Sequence, residues 1–367
     1  MSADIVFVIV VVTALAFDFT NGFHDTANVV ATSISTRAMS PRIAVTFAAL
    51  LNFAGAFISL QVAATVGKGI VEPGAVTPTV IFAGLIGAIG WNLITWYFGI
   101  PSSSSHALIG GLVGAVLVAE GSSAIVAGGL LGKVVVPALI SPVLAFAAAG
   151  IGILLIYRVV GLLRPGPVTK GFKFGQVISG GLLALAHGTN DAQKTMGVIT
   201  LALIAHGDIA ADNFHVPDWV VVASASAIAL GTYSGGWRII KTMGSRIIKM
   251  DSAQGFSAQG AGAAVILAAS HYGYPLSTTQ VIAGGVMGAG AAKRVSAVRW
   301  GVAGNIVVAW VLTIPAAGTM GALTWAVTRA FGTGAVGPVV VSVGLLLLVA
   351  VAFARRLQRG SPITAEA

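Results

Sequence analysis

Asn21-Gly22-Phe23-His24-Asp25-Thr26-Ala27-Asn28 interrupts an apolar run that extends from Ile5 to Thr36. Past the middle of the chain, His187-Gly188-Thr189-Asn190-Asp191-Ala192-Gln193-Lys194 interrupts another. Gly22 matches Gly188 and Asp25 matches Asp191, at an offset of 166 residues. A second matched pair follows: Pro101-Ser102-Ser103-Ser104-Ser105-His106 before Gly110-Gly111, and Pro275-Leu276-Ser277-Thr278-Thr279-Gln280 before Gly284-Gly285, at an offset of 174. Two colinear matches whose offsets differ by the length of a loop mark an internal repeat.

Around these motifs the chain has the composition of a membrane protein. It is 56% hydrophobic and 8% charged over 367 residues, where a soluble domain carries about 25% charged residues. Apolar runs of spanning length, roughly 20 residues each, recur from Ile5 to Phe353, and no hydrophilic stretch is long enough to fold as a soluble domain. The first run follows Asp4 without the basic region of a cleaved signal peptide, so it is read as a span. The expectation is an all-α, polytopic transmembrane helical bundle in the cell (inner) membrane. Cysteine is absent, which excludes disulfide and thiol chemistry.

The net charge of +9 falls in short clusters between apolar runs: Arg37 and Arg42, Arg158 to Lys173, Arg238 to Lys249, Lys293 to Arg299, and Arg355 to Arg359. That distribution is a topology signal rather than a nucleic-acid surface. The loop after the first motif is basic, whereas its counterpart carries Asp208, Asp212 and Asp218. The loop near Lys68 and Glu72 is balanced, whereas its counterpart from Arg238 to Lys249 is basic. Opposite bias in matched loops predicts halves that cross the membrane in opposite senses, with the N-terminus outside. The division read from this is residues 1–157 as a first inverted repeat, 158–173 as a cytoplasmic linker, 174–331 as a second inverted repeat, and 332–367 as an additional helix with a short basic tail.

Polar residues inside both motif runs predict broken helices there, and the two Pro-led segments, which lack Lys and Arg, predict re-entrant helix hairpins with tips at membrane depth. Of the eleven acidic residues only Asp18, Asp25 and Asp191 lie inside apolar stretches. Asp25 and Asp191 occupy equivalent positions, which points to function. Asp18, matched by Ala184, is expected to make a structural hydrogen bond to backbone freed at a helix break. Proline in the first turn with Ser or Thr at the cap leaves N–H groups free. Ser103, Ser104, Ser105, Ser277, Thr278 and Thr279 can therefore offer hydroxyls and N–H donors to an oxyanion.

Carboxylates beside an anion require a cation to offset their repulsion. Lys194 is the one Lys or Arg inside a motif and can balance an Asp or bind the anion itself. His24, His106 and His187 lie beside the motifs and titrate near neutrality, so each is either a hydrogen-bonding partner or a proton relay. Their spacing is not that of a zinc site, and no resident metal or cofactor is expected. Ser105-His106 is no nucleophile and base, since adjacent helical residues point apart, so an enzyme is not expected. A passive anion channel is disfavoured because intramembrane carboxylates repel a lone anion.

The motifs Gly22-Phe23-His24-Asp25-Thr26-Ala27-Asn28 and Gly188-Thr189-Asn190-Asp191, with the two Pro-led segments, resemble those of the inorganic phosphate transporter (PiT) family across residues 5 to 330. The resemblance implies a secondary symporter that imports inorganic phosphate, with inverted repeats, hairpins, a central site and a homodimeric assembly in the lipid bilayer. It implies that Asp25, Asn28 and Asp191 belong to the ion and phosphate site with the tip hydroxyls; with the residue reading above, phosphate falls to Ser103, Ser104, Ser105, Ser277, Thr278, Thr279 and Lys194, and ion or proton coupling to Asp25, Asn28, Asn190, Asp191, His24 and His106. Sodium-coupled members carry Asn-Asp-x-Ala-Asn in both halves, whereas here Lys194 stands opposite Asn28. This departure resembles the bacterial low-affinity branch, which implies proton coupling and uptake partly as a neutral metal–phosphate complex. Na⁺ coupling, and another tetrahedral oxyanion such as sulfate, are the alternative readings.

Overall fold

The computed structural model describes residues 2–358. The helices are α1 (Ser2–Ser35), α2 (Pro41–Gly55), α3 (Gln61–Lys68), α4 (Pro78–Phe98), α5 (Ser104–Ala119), α6 (Ala127–Gly129), α7 (Val136–Val160), α8 (Pro165–His206), α9 (Asp218–Ser234), α10 (Trp237–Lys241), α11 (Ser252–His271), α12 (Thr278–Lys293), α13 (Trp300–Ala330) and α14 (Val336–Gln358). A π-helical stretch, Leu130–Val135, joins α6 to α7, so Ala127–Val160 forms one span. Among the described residues strand pairing is limited to one bridge, Val71 with Ile125. Among the described residues four helices are long and apolar enough to cross a bilayer, or five if α9 and α10 with its π-helical extension, bent by 60°, count as one broken span.

Packing follows the repeat. α1 lies on α9 as α8 lies on α2, and α5 packs on α13 as α12 packs on α7. The halves therefore interdigitate rather than sit side by side. Asp4 near the start of α1 is 3.5 Å from His206 at the end of α8. At the other end, Thr36 donates to Gln176, near the start of α8, at 2.8 Å. Equivalent helices that run antiparallel require a two-fold axis across them, which is the inverted relation expected from loop charge.

Gly22 and Gly188 make these crossings close. A Cβ on Gly22 would stand 2.4 Å from the Ile228 carbonyl of α9, and one on Gly188 would stand 2.1 Å from the Asn52 carbonyl of α2. Only hydrogen fits at either position, which explains why glycine recurs there.

Two expectations change. The motif helices are not broken: α1 and α8 run unbroken through their polar residues. Asp25, Asn28, Asn190 and Lys194 find partners on other elements, so they do not compete for their own backbone. The breaks fall instead at the Pro-led tips and between α9 and α10. The linker shrinks to residues 161–164, because α8 begins at Pro165, a residue suited to a first helical turn. The expected basic tail from Arg359 onward lies outside the described residues, as do the side chains of Arg355 and Arg356.

Candidate functional site

Helix α4 ends on Gly99 in the left-handed conformation (φ 65°), which turns the chain into the first tip. Pro101 to Ser105 are buried, and so are Pro275 to Thr279 in the second tip. Each tip opens a helix of sixteen residues, α5 or α12, which at about 24 Å is shorter than the bilayer core. The two N-termini thus begin inside the bundle, and their N–H groups and positive dipole ends meet the crossing of α1 and α8.

The α1 side of the site is centred on Asp25, which is 1% exposed. Its carboxylate accepts from Ser104 at 2.6 Å and lies 2.7 Å from His24 Nδ1. Thr278 and Thr279 of the opposite tip each approach it at 3.3 Å. One turn on, Asn28 Nδ2 donates to Thr279 Oγ1 at 2.9 Å and reaches Thr278 Oγ1 at 3.3 Å. The first motif therefore engages both tips.

On the α8 side, Lys194 is 1% exposed, and its ammonium donates to Asp191 and to Ser105 at 2.5 Å. It also donates to the Leu276 carbonyl at 2.8 Å. Asp191 Oδ2 lies 3.1 Å from His187 Nε2 and 3.3 Å from Thr278 Oγ1. Thr278 has one hydroxyl hydrogen and stands equally near Asp25 and Asp191, so it can serve one carboxylate at a time. Ligand atoms of Asp25, His187 and Asp191 all lie within 4.8 Å of one another. At an effective dielectric constant of about 20, two carboxylates at that separation repel by about 3 kcal/mol. The arrangement is built to hold positive charge, and Lys194 supplies one unit of it.

Other residues singled out in the sequence take different places. Ser103 accepts from the His106 N–H at 3.1 Å and Ser277 from the Gln280 N–H at 3.3 Å, so both are helix caps. Asn190 points at the second tip, donating to Ser270 and to the Tyr274 carbonyl at 2.8 and 3.0 Å. The His106 ring is buried without a hydrogen bond to the carboxylates. The sequence pattern left out His187 as a site residue, although its four-residue spacing from Asp191 places both on one helix face. It gave no sign of Thr95, whose hydroxyl lies 3.1 Å from His24 Nε2. Nor did it show Asn52, which stands 3.2 Å from His187 Nδ1. Both lie on other helices in ordinary apolar surroundings.

A helical membrane protein whose inverted repeats bring two polar tips and two acidic helices together inside the bundle is of the secondary-transporter class. The chain belongs to the phosphate transporter family, which residues 21–168 and 163–321 each match. It is 51% identical over 324 residues to a protein of Mycobacterium tuberculosis named "Probable low-affinity inorganic phosphate transporter", covering 88% of this chain and 78% of that one. Proteins with the same name from Rhizobium meliloti and Bacillus subtilis are 52% and 45% identical, covering 85% and 87% of this chain and 93% and 96% of theirs. A solved structure described as "The sodium-dependent phosphate transporter" shares the fold with a TM-score of 0.82 at 24% identity, covering 89% of this chain and 99% of that one.

Proposed function

We propose that this multi-pass membrane protein imports inorganic phosphate as a proton-coupled secondary transporter. The observation that carries the reading is the meeting of four tip hydroxyls, Ser104, Ser105, Thr278 and Thr279, with Asp25, Asn28, Asp191 and Lys194 in one buried cluster. Hydroxyls and helix N-termini suit the oxygens of a phosphate. The carboxylates accept from the hydrogens that a protonated phosphate carries and a sulfate lacks.

Lys194 supports protons over Na⁺. Its ammonium sits at the place equivalent to Asn28, bound to Asp191, Ser105 and the Leu276 carbonyl. A fixed cation there competes with a second one. Asp25 and His24 remain to balance charge at the phosphate site, and a divalent metal accompanying phosphate would be cargo held against the Asp25, His187 and Asp191 set. Family resemblance supports a homodimer, which mass measurement in detergent tests.

The deciding experiment is phosphate uptake by purified protein in liposomes under separate proton, Na⁺ and Mg²⁺ conditions, with sulfate as competitor. Accumulation driven by a pH gradient and insensitive to sulfate is expected. Accumulation driven by Na⁺ and indifferent to pH overturns the coupling, and equal competition by sulfate overturns the substrate.

A further inference from the structure

Asp18, Asn21, Asp25, Asn28 and Thr32 follow one another at three- and four-residue steps, so they share a face of α1. Asp25 and Asn28 belong to the site already described. Asp18 does not, and it is 0% exposed. The sequence suggested a structural hydrogen bond to freed backbone, but α1 is unbroken at Asp18 and neither carboxylate oxygen closes a hydrogen bond. Two side chains face it: Asn21 from the next turn and Thr195 across the helix crossing. Both atoms of the Asn21 amide and the Thr195 hydroxyl are also buried without partners. Thr26, Thr189, Thr200 and Thr232 each donate to the carbonyl four residues earlier, whereas Thr195 leaves that bond unmade. Two side chains from two helices, neither in hydrogen-bonding geometry with it, thus flank one buried carboxylate. Buried polar groups are normally paired, so a set of orphans aimed at one another marks a place for something to bind.

We propose that Asp18, with Asn21 and Thr195, is the site that takes up the coupled proton, about 10 Å along α1 from Asp25 by helical rise. This rests on the proton-coupled reading above. The donor set fits a proton better than a metal ion. Metal ions that prefer oxygen take about six ligands or more, and two unbroken helices present here only the Asp18 carboxylate, the Asn21 carbonyl and the Thr195 hydroxyl. A proton needs one acceptor. Protonated Asp18 donates its O–H to the Asn21 carbonyl or the Thr195 oxygen. Ionised Asp18 accepts from the Asn21 amide and the Thr195 hydroxyl. Asn21 serves either state by turning its amide, and the unpaired state of both its ends leaves it free to do so. The step moves one proton between water and a carboxylate oxygen, with no change of oxidation state. Asp191 and Lys194 of α8 are the charged groups that act on Asp18, so its charge is felt at the phosphate site. Neutralising it favours an anion there.

In liposomes, wild-type protein is expected to bind phosphate about tenfold more tightly as pH falls, a coupling typical of linked sites. Asp18→Asn, a neutral mimic of the protonated acid, is expected to bind with flat pH dependence relative to wild type. It should retain phosphate–phosphate exchange and lose accumulation driven by a pH gradient, and Asp18→Glu should restore it. An Asp18→Asn protein that still accumulates phosphate on a pH gradient overturns the proposal, whereas a wild type driven only by Na⁺ overturns the proton-coupled reading itself. Infrared difference spectra on acidification give a readout independent of transport. A protonated-carboxyl band missing in Asp18→Asn and shifted in Thr195→Val supports the site, and one that persists unchanged in Asp18→Asn excludes it.

Discussion

Lys194 Nζ lies 2.5 Å from Asp191 Oδ1, one turn earlier on the same helix, and both groups are buried. Removing one partner of a buried pair leaves the other charge uncompensated, at a cost of about 3–5 kcal/mol. Lys194→Met is therefore expected to lower thermal stability in detergent and abolish uptake. Adding Asp191→Asn should recover most of the lost stability without recovering transport, because both charges are then gone. A double variant no more stable than Lys194→Met would show that the pair is not the cause.

Asp25 accepts from Ser104 at 2.6 Å and is approached by both threonines of the other tip. Asp25→Asn keeps the shape and removes the charge, so uptake should fall below detection while the protein still folds. Ser104→Ala removes one hydrogen bond to a charged group, a loss of about 1.5–3 kcal/mol, and should weaken phosphate affinity by about 10- to 100-fold. Radiolabelled phosphate binding separates the two effects.

The all-helical bundle, the repeat and its inverted sense were legible in the sequence, since hydropathy and loop charge report topology directly. The tips were legible too, because Pro and hydroxyl residues between apolar arms, with no Lys or Arg beside them, do not suit a solvent loop. What was not legible is which hydroxyl faces the site. Ser103 and Ser277 read the same as Ser104 and Thr278, yet helix periodicity turns the first residue of each tip onto its own N–H groups. The continuity of α1 was misread for a related reason: Asp25 and the Asn28 amide nitrogen find partners on α5 and α12, more than seventy residues away, and a local pattern does not carry that information. Thr95 and Asn52 support the histidines from other helices and carry no motif of their own.

Gly188 meets the Asn52 carbonyl where a Cβ would stand 2.1 Å away, whereas nothing lies within 4 Å of a Cβ built on Gly74. Gly188→Ala must push α8 off α2 and displace Asp191 with it. Loss of folded protein from the membrane is expected for Gly188→Ala and Gly22→Ala, and wild-type yield and uptake for Gly74→Ala. Fluorescence-detected size exclusion reads this without any transport assay.

Ser277 and Thr279 sit two residues apart in one tip but do different work. Ser277 Oγ accepts from the Gln280 N–H at 3.3 Å, so Ser277→Ala should cost about 1 kcal/mol of stability, as the loss of a cap does. Its KM for phosphate should stay within about twofold of wild type, since about 0.4 kcal/mol is all that such a change represents. Thr279 instead links Asn28 and Asp25 at 2.9 and 3.3 Å. Thr279→Val keeps the volume and removes the hydroxyl, leaving the Asn28 amide without its shorter partner inside the bundle. Uptake by Thr279→Val should therefore show KM raised by about tenfold or more, together with a stability loss of about 1 kcal/mol or more from the unpaired amide. The opposite pattern, a KM effect at Ser277 and a purely thermal one at Thr279, would mean that the cap residue faces the substrate and that the tip enters the site one position earlier than its hydrogen bonds indicate.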